Sequence, residues 1–133
     1  MSQMTNYLEK KLLDHTLGKA AYSMPPTAYL ALFTSDPGET GSFAAEVTGG
    51  GYARQAITAA MAATNATTGV SNNSNVITFG PASADWGTIT HIGIIDASSG
   101  GNMLLYGALT SARTIQNGDS LQFAASSLVV TFA

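Results

Sequence analysis

The chain predicts an all-β fold: an antiparallel two-sheet β-sandwich, jelly-roll-like, of about eight strands, with one N-terminal α-helix. Three observations carry that prediction. Short runs of β-branched and aromatic residues recur along the chain, with turn signals every ~8–15 residues. Only one segment, near the N-terminus, places apolar residues at helical spacing, so an alternating βαβ architecture fails. One run, Trp86-Gly87-Thr88-Ile89-Thr90-His91-Ile92-Gly93-Ile94-Ile95-Asp96, carries apolar side chains on both faces, as a strand does in the middle of a covered sheet. On strict alternation Thr88, Thr90, Ile92 and Ile94 point one way and Ile89, His91, Gly93 and Ile95 the other. The expected organisation is a single domain over 1–133, with a helix and linker in 1–24 and the sandwich in 25–133.

The helix opens at Asn6 or Thr5; Asn6 and Glu9 have capping-box spacing, and Thr5 is the alternative cap. Leu8, Leu12 and Leu13 recur near helical spacing, with Leu17 following, and Gly18 is a natural stop. About three turns are marginal alone, so the leucines must dock, either on the chain's own sheet or on a partner. Met24-Pro25-Pro26 ends the helical region. Thr27 to Thr34 form the first strand, apolar on both faces. Ser35-Asp36-Pro37-Gly38 is a turn in which Asp36 bonds its own backbone, Pro37 presets φ and Gly38 accepts a positive φ. The loop continues to Gly49-Gly50-Gly51, read as a flexible link. Tyr52 to Thr58 resume strand character, and Ala59-Ala60-Met61-Ala62-Ala63 continues it or makes an irregular edge. Residues 66–75 are polar and turn-prone. Val76 to Phe79, Met103 to Leu109, Arg113 to Ile115, Ser120 to Phe123 and Leu128 to Phe132 complete the strands, with a hairpin loop at 97–102 and an Asn117-Gly118 turn.

Composition bounds the function. Only 10% of residues are charged, against ~25% in typical soluble domains. A surface of small polar residues repels neighbours weakly and suits a protein packed into an assembly. The net charge is −3 and the five cations, Lys10, Lys11, Lys19, Arg54 and Arg113, are scattered. Nucleic-acid binding needs a row of phosphate-neutralising charges, and an acidic balance disfavours anionic membranes, so neither partner is expected. The chain has no cysteine, which excludes disulfides and thiolate chemistry. The first residues show no basic-then-apolar pattern and no apolar run approaches ~18 residues, so neither a signal peptide nor a membrane span is expected.

The residues offer no reactive constellation. His91 lies among isoleucines and reads as a structural, hydrogen-bonded histidine, without the companions a metal site requires. His15 follows Asp14 on the helix, where adjacent residues diverge, and reads as part of a solvated helix end. Asp85 and Asp96 bracket the long strand and would stand ~35 Å apart, far beyond a glycosidase pair. No Gly-x-Ser-x-Gly elbow occurs, and Gly49-Gly50-Gly51 lacks the ending of a phosphate loop. No enzyme activity, metal or cofactor is expected. Trp86, Tyr52 and Tyr106 form either core aromatics or an aromatic surface suited to sugar stacking, with Trp86 read as a core or sheet-rim residue or as an interface anchor.

Several stretches together resemble a family of small tailed-bacteriophage virion proteins, often labelled tail fibre protein. They are Asn6-Tyr7-Leu8-Glu9 with Leu12-Leu13-Asp14-His15, then Tyr29-Leu30-Ala31-Leu32-Phe33-Thr34-Ser35-Asp36-Pro37 and Gly51-Tyr52-Ala53-Arg54-Gln55. The long strand from Trp86 to Ile94, Leu104 to Leu109, and Gly118-Asp119 with the final strand complete the set. They run in order over most of the chain. Size and β pattern are also similar to the jelly-roll cement, or decoration, proteins of phage capsids. The chain has neither the repeats nor the stalk of a long fibre. The resemblance therefore implies a structural virion protein, with capsid cement favoured and a tail fibre or tail-tip component binding host glycan as the alternative. The implied partners are the major capsid protein and the chain itself, as homodimer or homotrimer, at the capsid surface or the tail. Interface residues are expected on the helix (Tyr7, Leu8, Leu12), on the 35–51 loop (Asp36, Glu39) and at Trp86. Helix and loop are elements the sheet does not obviously need.

Overall fold

A computed structural model describes residues 3–23 and 25–132. Met24, the expected end of the N-terminal segment, lies outside the described residues. The elements are β1 (Gln3–Met4), α1 (Asn6–Thr16), β2 (Tyr29–Phe33), β3 (Gln55–Ala56), β4 (Val70–Asn72), β5 (Ile77–Phe79), β6 (Gly87–Ile95), β7 (Met103–Ile115), β8 (Leu121–Phe123) and β9 (Val129–Thr131). The main sheet has the order β1-β7-β6-β2-β3, and every pairing in it is antiparallel. The facing layer is divided into two ribbons, β4–β9 and β5–β8, also antiparallel. The architecture is thus sandwich-like, with a broad sheet on one side and two narrow ribbons on the other.

The long central strand was legible because both its faces are covered. In β2 the alternation is strict: Leu30 and Leu32 enter the main core, while Ala31 and Phe33 enter a second cluster on the opposite face. The main core lies between the layers. Ile77 and Phe79 from β5 and Leu121 and Phe123 from β8 alternate inward, with exposed Thr78 and Gln122 between them. Ile89 and Ile94 meet them from β6. The second cluster joins Ala31, Phe33, Ile95, Met103 and Tyr106, and Phe43 and Ala45 of the 34–51 loop close over it. Gly93 makes room there, because a Cβ would stand 2.9 Å from Phe33 Cε1.

Strict alternation in β6 fails at one place. Ile89 lies with Ile92 and Ile94 in the main core, not with Ile95. The cause is a bulge. Ile89 pairs with Arg113 and His91 with Ala108, so the four residues 109–112 of β7 lie opposite Thr90 alone. Extra residues bend a strand and re-aim its side chains. A second irregularity pairs Ile94 with Leu105 and Ile95 with Met103, leaving Leu104 unmatched. Consecutive Leu104 and Leu105 then share the main core, while Met103 and Tyr106 flank the second cluster. The two strands expected over 103–109 and 113–115 are therefore one strand, interrupted by the bulge where the apolar pattern lapses.

Other differences follow from tertiary pairing. Residues 58–60 form a turn, and Met61 makes an isolated bridge to Asn73, so the alanine-rich stretch takes the irregular alternative. Val70–Asn72, inside the segment read as turn-prone, is a strand because β9 supplies its partner. Two-residue β1 had no pattern to show.

Candidate functional site

The N-terminal helix is set by Thr5. Its Oγ1 accepts from Leu8 N–H at 3.3 Å, as an N-cap does. The same hydroxyl donates to Met103 O at 2.6 Å, and Thr5 N–H donates to Leu104 O at 3.0 Å. Thr5 is buried, so the cap also fastens the helix to the start of β7. Gly18, at φ +74°, follows the C-cap Leu17, as its sequence position suggested. The leucines do not form one stripe. Successive helical residues turn ~100°, so Leu13 lies off the line of Leu8 and Leu12. Leu8 is buried and Leu12 packs against the main core, while Leu13 and Leu17 are 59% and 64% exposed. One helix face therefore docks on its own fold, and the other faces outward.

The 34–51 loop is fixed at both ends and in the middle. Asp36 Oδ1 accepts from Gly38 N–H at 2.8 Å, and Gly38 has φ +73°, the turn chemistry expected. Glu39 O accepts from Asn6 N–H at 2.9 Å, joining the loop to the first turn of the helix. Glu46 carries the main lock. Its carboxylate accepts from Arg54 Nε and Nη2, each at 2.8 Å, and from the Tyr52 hydroxyl at 2.8 Å. Arg54 Nη1 donates to Ala97 O and Gly100 O in the β6–β7 hairpin loop, and the guanidinium lies 5.0 Å from the Phe43 ring centroid. The paired side chains are 5% and 12% exposed. The Glu46 hydrogen bond, above all, raises the Arg54 pKa, against the opposing effect of burial. Burial, foremost, pushes the Tyr52 hydroxyl well above its ordinary value. Charge pairs of this geometry tie segments together whatever they contribute to net stability.

Trp86 belongs to the same region and faces inward. It is 5% exposed, its Nε1–H donates to Gly50 O at 2.8 Å, and it meets Tyr52 edge-on at 5.6 Å. The glycine run is no flexible link. Gly50 takes φ +60°, and a Cβ there would fall 2.9 Å from Trp86 Nε1. Gly50 O also accepts from Ser83 N–H at 2.9 Å. The aromatic surface considered for sugar stacking is thus folded away: Trp86 and Tyr106 are buried, and Tyr52 stacks on Phe79 at 6.2 Å.

The residues expected at an interface therefore separate into three groups. Leu8 and Trp86 are core residues, because helix docking and the Gly50 contact bury them. Tyr7 and Leu12 are half-buried beside the main core, with Lys11 Nζ 5.6 Å from the Tyr7 ring centroid. Asp36 and Glu39 are exposed. They share the neighbourhood of Tyr106 with Glu9: burial first, then the charges of Glu39, Asp36 and Glu9, raise the Tyr106 pKa. The structure so gathers an acidic patch at the junction of helix and loop. The expectation that the sheet does not need these two elements is corrected, since Leu8 and Val47 fill the main core and Phe43 covers the second.

The histidines take supporting roles. His91 Nδ1 lies 2.8 Å from Thr90 Oγ1, and its Nε2 is 4.0 Å from Asp36 Oδ2. His15 Nδ1 accepts from Tyr22 N–H at 3.0 Å, closing the turn after the helix. Among the described residues, no three His, Cys, Asp or Glu side chains are placed to hold a metal ion. No helix among them is long and apolar enough to cross a membrane.

Sequence reasoning missed two polar knots. Glu46 in its loop and Arg54 on the strand expected over 52–58 show no sign of pairing, because nothing in an eight-residue separation marks a pair. Asn73 sat in a turn-prone run, yet it is fully buried and bonds to three segments.

Residues 3–131 match the family model described as podophage GP4 fiber I protein gp80. No curated protein matches the chain. The family match spans almost the whole sequence, in agreement with the resemblance noted from its motifs, and the chain belongs to this Gp80 family of phage virion fibre proteins.

Proposed function

We propose that the chain is a non-enzymatic building block of a virion fibre at the phage tail, working by docking onto neighbouring virion proteins. The observation that carries this reading is the family match over 3–131 to a fibre protein. The chemistry of the fold agrees with it. The Glu46–Arg54 pair and the Trp86–Gly50 bond hold the loop to the sheet, and the residues they use face inward. What faces outward is a weakly charged surface with isolated apolar side chains at Leu13, Leu17, Val76, Val129 and Phe132. Such a surface suits repeated contacts that add through multivalency.

A second reading is capsid cement, a clamp between copies of the major capsid protein. The low charged fraction, 10%, favours it equally, and so does a chain without repeats. Separation of heads from tails on a density gradient distinguishes the two. The fibre reading expects the chain in the tail fraction. Its recovery with DNA-filled heads, in hundreds of copies, would establish cement instead and overturn the first reading.

A further inference from the structure

β7 is longer than its neighbours need. On one side it pairs with β6; on the other, β1 covers only Leu105 and Tyr106. Beyond that point its outer edge meets no strand among the described residues. The bulge lies there too, and bulged residues are left unpaired in the ladder. Thr110, Ser111, Ala112, Arg113 and Thr114 are all exposed, although a strand ordinarily alternates. β8 has β5 on one side and no second strand neighbour among the described residues. Between the two runs lies a groove of about 390 Å³, walled by Leu109, Thr110, Ser111 and Arg113 of β7 and by Leu121, Gln122 and Phe123 of β8.

Resting on the fibre reading above, we propose that this groove is a strand-acceptor site, filled in the assembled virion by an extended segment of a neighbouring virion protein whose one charge is an acidic residue at one end. A strand edge specifies its own occupant, because row upon row of N–H and C=O groups is matched by another extended backbone. The floor is apolar, through Leu109, Leu121 and Phe123. The rim is hydroxylic, through Thr110, Ser111 and Ser127. Arg113 is the one charge among the lining residues, so an acidic side chain at one end of the segment is the complementary feature. No proline interrupts residues 103–115 and no lysine guards them, two of the devices by which edges are commonly closed to partners.

Amide hydrogen exchange on the full-length chain, free and within purified virions, tests the site. Amides at 109–113 are expected to exchange at least about tenfold more slowly in virions, a difference well within the range local pairing produces. Ser111→Pro removes a donor at this exposed position, and Ser111→Trp fills the groove without altering the backbone. In a phage lacking its own copy, both are expected to lose most incorporation while the purified variants unfold at the parent's temperature. If Ser111→Pro alone fails to fold, Ser111→Trp decides. Unchanged exchange at 109–113 in virions that do contain the chain overturns the site and leaves the fibre reading standing. Normal incorporation of Ser111→Trp does the same. Absence of the chain from virions overturns both.

Discussion

Replacing Asn73 with alanine should cost more stability than any other single polar substitution in the second layer. Its side chain is fully buried. Nδ2 donates to Asn75 O and Ala124 O, each at 2.9 Å, and to Phe123 O at 3.3 Å; Oδ1 accepts from Leu128 N–H at 2.9 Å. One amide so joins the β4 turn, the end of β8 and the start of β9. The losses differ in kind. Ala124 O keeps the Ser127 hydroxyl at 2.7 Å, and Asn75 is exposed, so water can replace its partner. Leu128 N–H keeps nothing and is buried. A lost hydrogen bond costs about 1 kcal/mol and a stranded buried donor about 1–3 kcal/mol. The sum is about 2–4 kcal/mol, a large share of a typical domain's ~5–15 kcal/mol. The melting temperature should fall by roughly 8–16 °C, read by circular dichroism alongside urea titration. A loss below about 1 kcal/mol would refute the reasoning, since the knot would then be decorative. Asn73→Asp supplies a check of sign. A carboxylate facing three carbonyls prefers its protonated form, so its folded pKa lies above the ordinary ~3.9. The variant should be most stable below that ordinary value and lose stability as pH rises through the folded pKa.

Further outcomes follow from the same geometry. Gly50→Ala, at positive φ and against Trp86 Nε1, should destabilise by about 1–3 kcal/mol and alter the tryptophan fluorescence; wild-type stability and spectrum would contradict the placement of Trp86. Gly93→Ala should cost about 1–3 kcal/mol by pressing on the fully buried Phe33 ring, as measured by denaturant midpoint. Arg54→Met, which leaves Glu46 without its partner in a nearly closed site, should cost about 3–5 kcal/mol; the loop should then become sensitive to limited proteolysis near residue 46. Tyr52 ionises with difficulty when folded, so its contribution is complete below its ordinary pKa of about 10 and declines as pH rises above it. Tyr52→Phe should accordingly flatten the alkaline fall in stability. Leu13→Ser with Leu17→Ser should change stability by no more than about 0.5 kcal/mol per site, because both are exposed.

Much of the fold could be read from residues alone, and the exceptions have definite causes. β5 and β8 show period-two burial because each has one covered face and a regular ladder, while β2 reads as an unbroken apolar run because both its faces are covered. The Asp36-Pro37-Gly38 turn and the Gly18 stop are local chemistry, so sequence suffices. The facing of Ile89 was misjudged because a bulge in β7, a different segment, resets β6. No window around Ile89 contains that information. For Leu8 and Leu12 the sequence leaves docking open between the chain's own sheet and a partner, because helical spacing reveals an apolar face without saying what covers it. Trp86 was similarly ambiguous until Gly50 O met its indole nitrogen. Of the expected interface, only exposed Asp36 and Glu39, with half-buried Tyr7 and Leu12, keep surface that a partner can reach.

Difference imaging of virions by electron cryomicroscopy, with and without this chain, tests most directly whether it builds the phage fibre by surface fit. Density missing from the tail fibres of the deletion particle, and restored by the wild-type chain, is the predicted result. Particles identical in tail and shell would contradict it.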